Sequence, residues 1–432
     1  MKRKNRYLDT VISYILFVIS IFLAVEHQNY NYNQKVFLGL LLLLISIHLL
    51  FKARKDRFFI LMFGVICYIN ITICFSDCIK NAILTVPIDS LSWQKLRETQ
   101  YETDFLIALC LFLSTVNLLY RSKTIIVENR IIQNRSNIYC FMVGMMILIY
   151  GLLNAYSSGI GKLDGYVSNT STIYEYCILY FLLTWYYSGK SKFRNTLLII
   201  YAASYVLLAV LHGDRSSAFP MILLLVILYL PRITLGKVFG LSFLGIIASN
   251  IVSVYRNNYS FSNFFGAFFK EYGFKSIFSD TVSFSYYTGI SIAYVRDYLG
   301  NTMHYFLDFL CGIIFGGSFG NADLVTFCRQ YSMNRGGGMC VANFYFYFGF
   351  IGSIVLGVIV GVMCRVIQKR NTNLGFIIKI YIVVDVFRWY LYSSFDLFRG
   401  VLFVLPVSYF VFYIIDELTR YRYNNTVYSL RN

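Results

Sequence analysis

Charged side chains are scarce in this sequence: Asp, Glu, Lys and Arg make up 14% of its 432 residues, against roughly a quarter in a soluble domain. With a mean hydropathy of +0.61, that deficit excludes a soluble enzyme, a secreted disulfide scaffold and a disordered chain. Histidine is rarer still, and His27, His48, His212 and His304 are too scattered for a zinc site. The ten cysteines contain no C-x-x-C pair; Cys67, Cys74, Cys110, Cys140, Cys177 and Cys364 sit in apolar runs, where a thiol behaves as a small hydrophobe. Cys311, Cys328 and Cys340 fall in or beside a long polar connection, where a disulfide is possible but not legible. There is no phosphate-binding-loop motif, no dinucleotide fingerprint and no G-x-S-x-G. ATP-driven transport and serine-hydrolase chemistry are therefore not expected, and neither a cofactor nor a metal is called for. Acidic residues are also few, 21 against 38 Lys and Arg, for a net charge of +17.

What is abundant is apolar sequence in runs of membrane-spanning length. Twelve are read, near 8–25, 36–51, 58–75, 105–120, 138–154, 173–187, 196–211, 218–230, 238–254, 339–364, 374–391 and 401–415. The first follows Lys2, Arg3, Lys4 and Arg6, but it is long and has no small-x-small cleavage site before Glu26, so a retained span is expected rather than a signal peptide. Alternate loops carry Lys52, Arg54, Lys55 and Arg57, then Arg121, Lys123, Arg130 and Arg135, then Lys190, Lys192 and Arg194. The pattern continues with Arg232 and Lys237 and with Arg365, Lys369 and Arg370, while the intervening short loops hold few basic residues. By the positive-inside rule both termini are cytoplasmic. The +17 is thus mainly an orientation signal, and no nucleic-acid partner is expected. The partner indicated is the lipid bilayer.

The expected organisation is an all-α polytopic membrane protein with about 12 transmembrane helices and one large external loop. Residues 1–254 carry the first nine helices, 255–338 the external loop, and 339–432 the last three helices and a cytoplasmic tail. The loop, from Arg256 to Gly338, is roughly 80 residues long, well beyond an ordinary connection. Its aromatic content is too high for disorder, and Phe284–Leu299 and Thr302–Phe315 are expected to form amphipathic helices at the membrane surface.

Four polar groupings stand out. His212-Gly213-Asp214-Arg215-Ser216-Ser217 joins the seventh and eighth runs on the outer side. An arginine fork there matches phosphate oxygens, although an interfacial cap with its counter-ion explains the same residues. Arg335-Gly336-Gly337-Gly338 precedes the tenth run; its glycines either expose N–H donors to an anion or form a hinge. The glycines that follow, Gly349, Gly352, Gly357 and Gly361, read as close helix packing. The loop adds Arg256, Arg296 and Arg329 among Glu271, Asp280, Asp297, Asp308 and Asp323. Finally, Lys379, Asp385 and Arg388 lie inside the eleventh run, where charge is costly and marks a functional candidate, and Glu175 is a weaker case of the same kind.

On these residues the chain resembles the bacterial O-antigen polymerases, the Wzy-type oligosaccharide repeat-unit polymerases. The stretch Leu211-His212-Gly213-Asp214-Arg215-Ser216 before an apolar run is similar to the family's Gly-x-Arg turn, and 336–361 is similar to its Gly-rich stretch with Tyr345 and a glycine-containing span. The chain departs from the pattern at Asn343, where an acid is common, at Tyr347, where Asn is common, and at Arg256, which Gly266 follows one residue early for an Arg-x10-Gly repeat. The resemblance implies a GT-C-like, metal-independent glycosyltransferase on the outer face of the bacterial inner membrane. Its substrates would be undecaprenyl-diphosphate-linked oligosaccharides, and a chain-length regulator would be a partner. It further implies that Arg215 and Arg335 hold the diphosphate, assisted by Arg256, Arg296, Arg329 or Arg388. His212, Asp214, Gly336, Gly337, Gly338 and Tyr345 would complete the substrate site. The base is expected among Asp280, His304, Asp297 and Glu271, unranked. Two other readings remain: a lipid-linked oligosaccharide flippase, expected to concentrate charge at mid-membrane, and an O-antigen ligase, which shares the chemistry with a different acceptor.

Overall fold

The computed structural model describes residues 2–27, 34–79, 96, 98–121, 135–157, 170–230, 233–258, 266, 280–334, 336–370 and 372–429, with the side chains of 2–6, 253, 255–258, 280 and 422–429 left aside. The described residues form an all-α polytopic membrane protein without a β-strand. Among the described residues, eight helices are long and apolar enough to cross a bilayer. The expected spans at 138–154, 173–187, 218–230 and 374–391 fall instead on shorter helices. The chain divides into two compact units. Unit 1 comprises Met1–Glu128, Arg232–Arg370 and Asp385–Arg399; unit 2 comprises Asn129–Pro231, Asn371–Val384 and Gly400–Asn432.

Unit 1 contains α1 (Lys2–Val25), α2 (Lys35–Ala53), α3 (Phe59–Thr72, extended by a π-helical turn at Ile73–Cys78) and α4 (Gln100–Leu119). Helix α4 is apolar on all sides and 83% buried, whereas α1 is 17% buried. An apolar helix left uncovered by protein is a helix meant for lipid. At one end of the unit the Lys52 ammonium reaches the Ser13 hydroxyl and the Asn117 carbonyl, and His48 hydrogen-bonds Asn117, fastening α1, α2 and α4. Deeper in, Asn70 of α3 donates to Ser46 of α2 at 2.8 Å. Each bond satisfies a buried polar group that lipid or core would leave unpaired, at a cost of several kcal/mol.

In unit 2, α5 (Ile138–Leu153), α6 (Thr172–Tyr187), α7 (Lys192–Leu211) and α8 (Arg215–Tyr229) each begin at a capping residue. Asn137, Ser171, Ser191 and Asp214 accept from backbone N–H groups two or three positions on. These caps set the starts locally, before any packing. Unit 1 then resumes with α9 (Leu235–Asn258), α10 (Asp280–Leu299), α11 (Tyr305–Phe315), α12 (Leu324–Cys328) and α13 (Met339–Lys369). The chain returns to unit 2 for α14 (Asn373–Val384), to unit 1 for α15 (Val386–Leu391) and α16 (Ser394–Arg399), and ends in unit 2 with α17 (Leu405–Ser429). Asp416 of α17 is fully buried and takes hydrogen bonds from Asn137 at 2.8 Å and Arg420 at 3.1 Å as well as from Arg135.

Three local expectations are corrected. The run 339–364 is not one straight span: Gly349, at φ 62 and ψ −144, breaks α13 into arms at 339–348 and 350–369. Glycine alone adopts that backbone readily. The arms fold so close that a Cβ on Gly352 would overlap the Phe344 carbonyl oxygen and lie 2.6 Å from its carbon. The run 374–391 is interrupted as well, at Asp385, which caps α15 in position without a side-chain cap bond. Third, α10 is not a half-immersed surface helix. Val282 through Ala293 are buried almost without exception, because the hydroxyls find partners: Ser283 on Asp77, Tyr286 on Glu102, and Thr288 on the Gly336 carbonyl. Glycines 357 and 361 do serve packing, since added Cβ atoms would meet Thr115 at 2.7 Å and Leu119 at 2.9 Å on α4.

Candidate functional site

In unit 1, polar and aromatic side chains converge where α1 ends, α4 begins, α10 ends and α13 turns. These four places enclose a cleft of about 670 Å³, a size suited to a substrate group. From the α1 side comes His27, its Nδ1 engaged at 3.0 Å with the Ala24 carbonyl, which leaves Nε2 for another partner. From the start of α4 come Gln100 and Tyr101 and, one turn on, Asp104. Gln100 Nε2 donates both to the His27 carbonyl at 2.7 Å and to Asp104 Oδ1 at 3.1 Å, tying α1 to α4. The last turn of α10 adds Ala293, Arg296 and Asp297, with Tyr101 donating to Asp297 at 3.3 Å.

The floor is the break in α13. Tyr345, Phe348, Gly349, Phe350 and Ile351 line the cleft. The Arg296 guanidinium lies 5.3 Å from the centroid of the Tyr345 ring, and a Cβ on Gly349 would stand 2.9 Å from Arg296 Nη2. Gly349 thus serves twice: it makes the turn, and it vacates the space the guanidinium uses. The ring beneath Arg296 attracts the cation through its negative face without consuming a donor. Arg296 Nε is buried and has no hydrogen-bond acceptor among the described residues. A buried N–H without a partner is uncommon and calls for an explanation, of which an absent ligand is one. Asp104 is within electrostatic reach of His27, Arg296 and Asp297. The cleft therefore combines one fixed cation with two carboxylates and an imidazole, on a rim of aromatic rings (His27 edge-on to Phe350 at 5.2 Å, Phe350 edge-on to Tyr345 at 5.4 Å).

Of the residues expected from sequence, the structure brings Arg296, Asp297 and Tyr345 into this cleft. Arg329 is exposed at the end of α12, its Nε donating to Asn334 at 3.1 Å. His304 is exposed before α11 and lies against Tyr305 with ring centroids 3.9 Å apart. The glycines at 336–338 pack under α10: the Gly336 carbonyl accepts from Thr288, a Cβ on Gly337 would overlap the Ser285 hydroxyl, and Gly338 precedes α13. Arg388 is half-buried on α15. Arg335 and Glu271 lie outside the described residues, as do the side chains of Asp280, at the start of α10, and Arg256, in the last turn of α9.

The His212–Ser217 turn belongs to unit 2. Asp214 caps α8, accepting from the Ser217 N–H at 3.2 Å and the Ser216 hydroxyl at 2.6 Å, and it also takes the Tyr156 hydroxyl at 3.0 Å. His212 stacks flat on Tyr156 with centroids 3.9 Å apart. Arg215, the first residue of α8, is 6% exposed. Asp214 is thus the N-cap of α8. Burial, with Asp323 nearby, pushes the Cys328 thiol well above its ordinary range, which keeps it protonated and inert. Among the described residues no group of three His, Cys, Asp or Glu side chains is arranged to hold a metal ion.

Sequence reasoning missed His27, Gln100, Tyr101 and Asp104. Each stands at the polar margin of an apolar run, where a charged or aromatic residue reads as an interfacial anchor. The chain matches no family model, no curated protein and no solved structure in comparisons with known proteins.

Proposed function

We propose that this protein is a GT-C-like glycosyltransferase of the bacterial inner membrane that polymerises oligosaccharide repeat units carried on undecaprenyl diphosphate. In this reading the chain crosses the membrane twelve times, the shorter helices included, with α14 and α15 forming one broken span. Both termini are cytoplasmic. Support for that orientation comes from the grouping of basic segments: Gln368, next to Lys369 and Arg370, bonds Asp56 of the Lys52–Arg57 loop, so two of the basic connections share one end of unit 1. The cleft sits at the other end, the outer face under the positive-inside rule.

The observation that carries the proposal is the Arg296 guanidinium with its bare Nε, held over Tyr345 in one cleft with Asp104 and Asp297. Glycosyl transfer from a lipid diphosphate needs an anion stabiliser and a base in one cleft. The acceptor sugar hydroxyl attacks the anomeric carbon of the donor, and the bond from that carbon to the phosphate oxygen breaks. Undecaprenyl diphosphate departs with the bonding pair, and its growing charge falls on Arg296. The hydroxyl proton passes to Asp104 or Asp297, with His27 beside Asp104 to relay it. No nucleotide sugar is needed, in keeping with a sequence that has no nucleotide motif.

A second reading, a flippase for the same lipid-linked substrate, is favoured by one observation: helices interrupted at Gly349 and Asp385, a pattern that transporters use to bind substrates near mid-membrane. Gene deletion followed by sizing of the surface glycan separates the two. The polymerase reading expects single repeat units at the surface and no long chains. Repeat units trapped inside the cell identify the flippase, and uncapped acceptor with long lipid-linked chains identifies a ligase.

A further inference from the structure

Leading out of the cleft is a run of aromatic rings that no catalytic step uses. Tyr101, on the cleft wall, meets Tyr294 edge-on at 5.3 Å; Tyr294 stacks on Tyr298 at 6.2 Å, one helical turn further along α10. Tyr298 lies 6.0 Å from Tyr331, and Tyr331 is edge-on to Phe327 at 5.4 Å. The outer members are open: Tyr298 is 67% and Tyr331 is 40% exposed. A contiguous row of open rings, unlike a lone exposed one, marks a surface that binds a partner. Their neighbours are polar, since Asp297, Asn301, Arg329 and Gln330 are all exposed beside them. Helix α11 makes the contrast, because its exposed side presents Leu307, Leu310, Ile314 and Phe315, a face suited to acyl chains.

From this arrangement we infer that the tyrosine run is a binding track for an extended oligosaccharide, the donor glycan whose reducing end lies at Arg296. A sugar ring has an apolar C–H face and a polar edge. Tyrosine offers the matching flat face and a hydroxyl, and the carboxylate, amides and guanidinium alongside supply partners for the sugar hydroxyls. Each sugar that settles on an open ring of the row adds affinity, so a chain long enough to reach it is held longer at the cleft. The inference rests on the glycosyl-transfer reading of that cleft and concerns which part of the substrate is gripped beyond it.

The test uses the full-length protein in lipid nanodiscs. It is titrated with end-labelled oligomers of one and of several repeats, cut from the producing cell's own surface glycan, with binding read by fluorescence polarisation. Wild-type protein is expected to bind the longer oligomers about tenfold more tightly than the single repeat. Tyr298→Ala with Tyr331→Ala should abolish that difference, and Tyr298→Phe with Tyr331→Phe should keep most of it. Arg296→Ala should leave the length dependence in place. Equal affinity for short and long oligomers in the wild type, absence of binding, or a length dependence that survives the double alanine variant would each overturn the track. If instead Arg296→Ala still elongates glycan normally in cells, the reading of the cleft fails, whatever the tyrosines do.

Discussion

Replacing Arg296 by alanine is expected, under the proposed polymerase function, to lower repeat-unit transfer by on the order of a hundredfold to a thousandfold, the usual loss when one prearranged donor to a developing anion is removed. The protein should remain inserted and folded, because the guanidinium contacts a ring face and the space over Gly349 and leaves its Nε unpaired among the described residues. Few stabilising bonds disappear with it. Arg296→Lys should recover only part of the activity: an ammonium restores the charge but not the planar fork that engages two phosphate oxygens at once. Glycan length in complemented deletion cells, together with protein level in isolated membranes, separates this from a folding defect. Full-length glycan from an Arg296→Ala strain would remove Arg296 from the reaction.

Gly352→Ala should have the largest effect on stability. The added methyl group meets the Phe344 carbonyl, which is backbone and has no rotamer to yield. Overpacking of a core costs about 1–3 kcal/mol when side chains can adjust; where the obstacle is main chain, a loss at or above the top of that range is expected. The two arms of α13 must then separate, carrying Tyr345 and Phe348 away from the cleft. Thermal unfolding of the detergent-solubilised variant should show a marked fall in Tm, and glycan synthesis should fall with it. Gly245→Ala, on α9 where an added Cβ meets nothing within 4 Å, is the control and should leave both unchanged. A Gly352→Ala protein of wild-type Tm would mean the arms do not fold back as described.

These two residues show what could be read before the structure and what could not. The helical, membrane-crossing class follows from hydropathy and was legible; the starts of α7 and α8 at Lys192 and Arg215 were not, because a capped first turn is polar and lies outside the apolar run that hydropathy picks out. Gly349 and Gly352 were visible only as glycines in an apolar run, a pattern that ordinary helix packing also produces; nothing in the run's hydropathy distinguishes a hinge from a seam. Helix α10 misled for a different reason. Its mixed polar and aromatic sequence suggested a surface helix, yet a serine or threonine hydroxyl can satisfy itself on a carboxylate or a carbonyl and be buried at little cost. Arg296 and Tyr345 were recognisable because an arginine in an aromatic-rich connection already suggests anion binding. Their partners were not, since His27, Asp104 and Arg296 are far apart in sequence and meet only through tertiary packing.

The central claim is that the cleft joins sugar to sugar, and reconstitution tests it most directly. Purified protein in proteoliposomes, supplied with a single undecaprenyl-diphosphate-linked repeat unit and no nucleotide sugar, should produce a ladder of longer lipid-linked glycans. It should release undecaprenyl diphosphate in step, and Arg296→Ala should stop both. Repeat units that stay single while moving across the bilayer would contradict the account and identify the protein as a transporter.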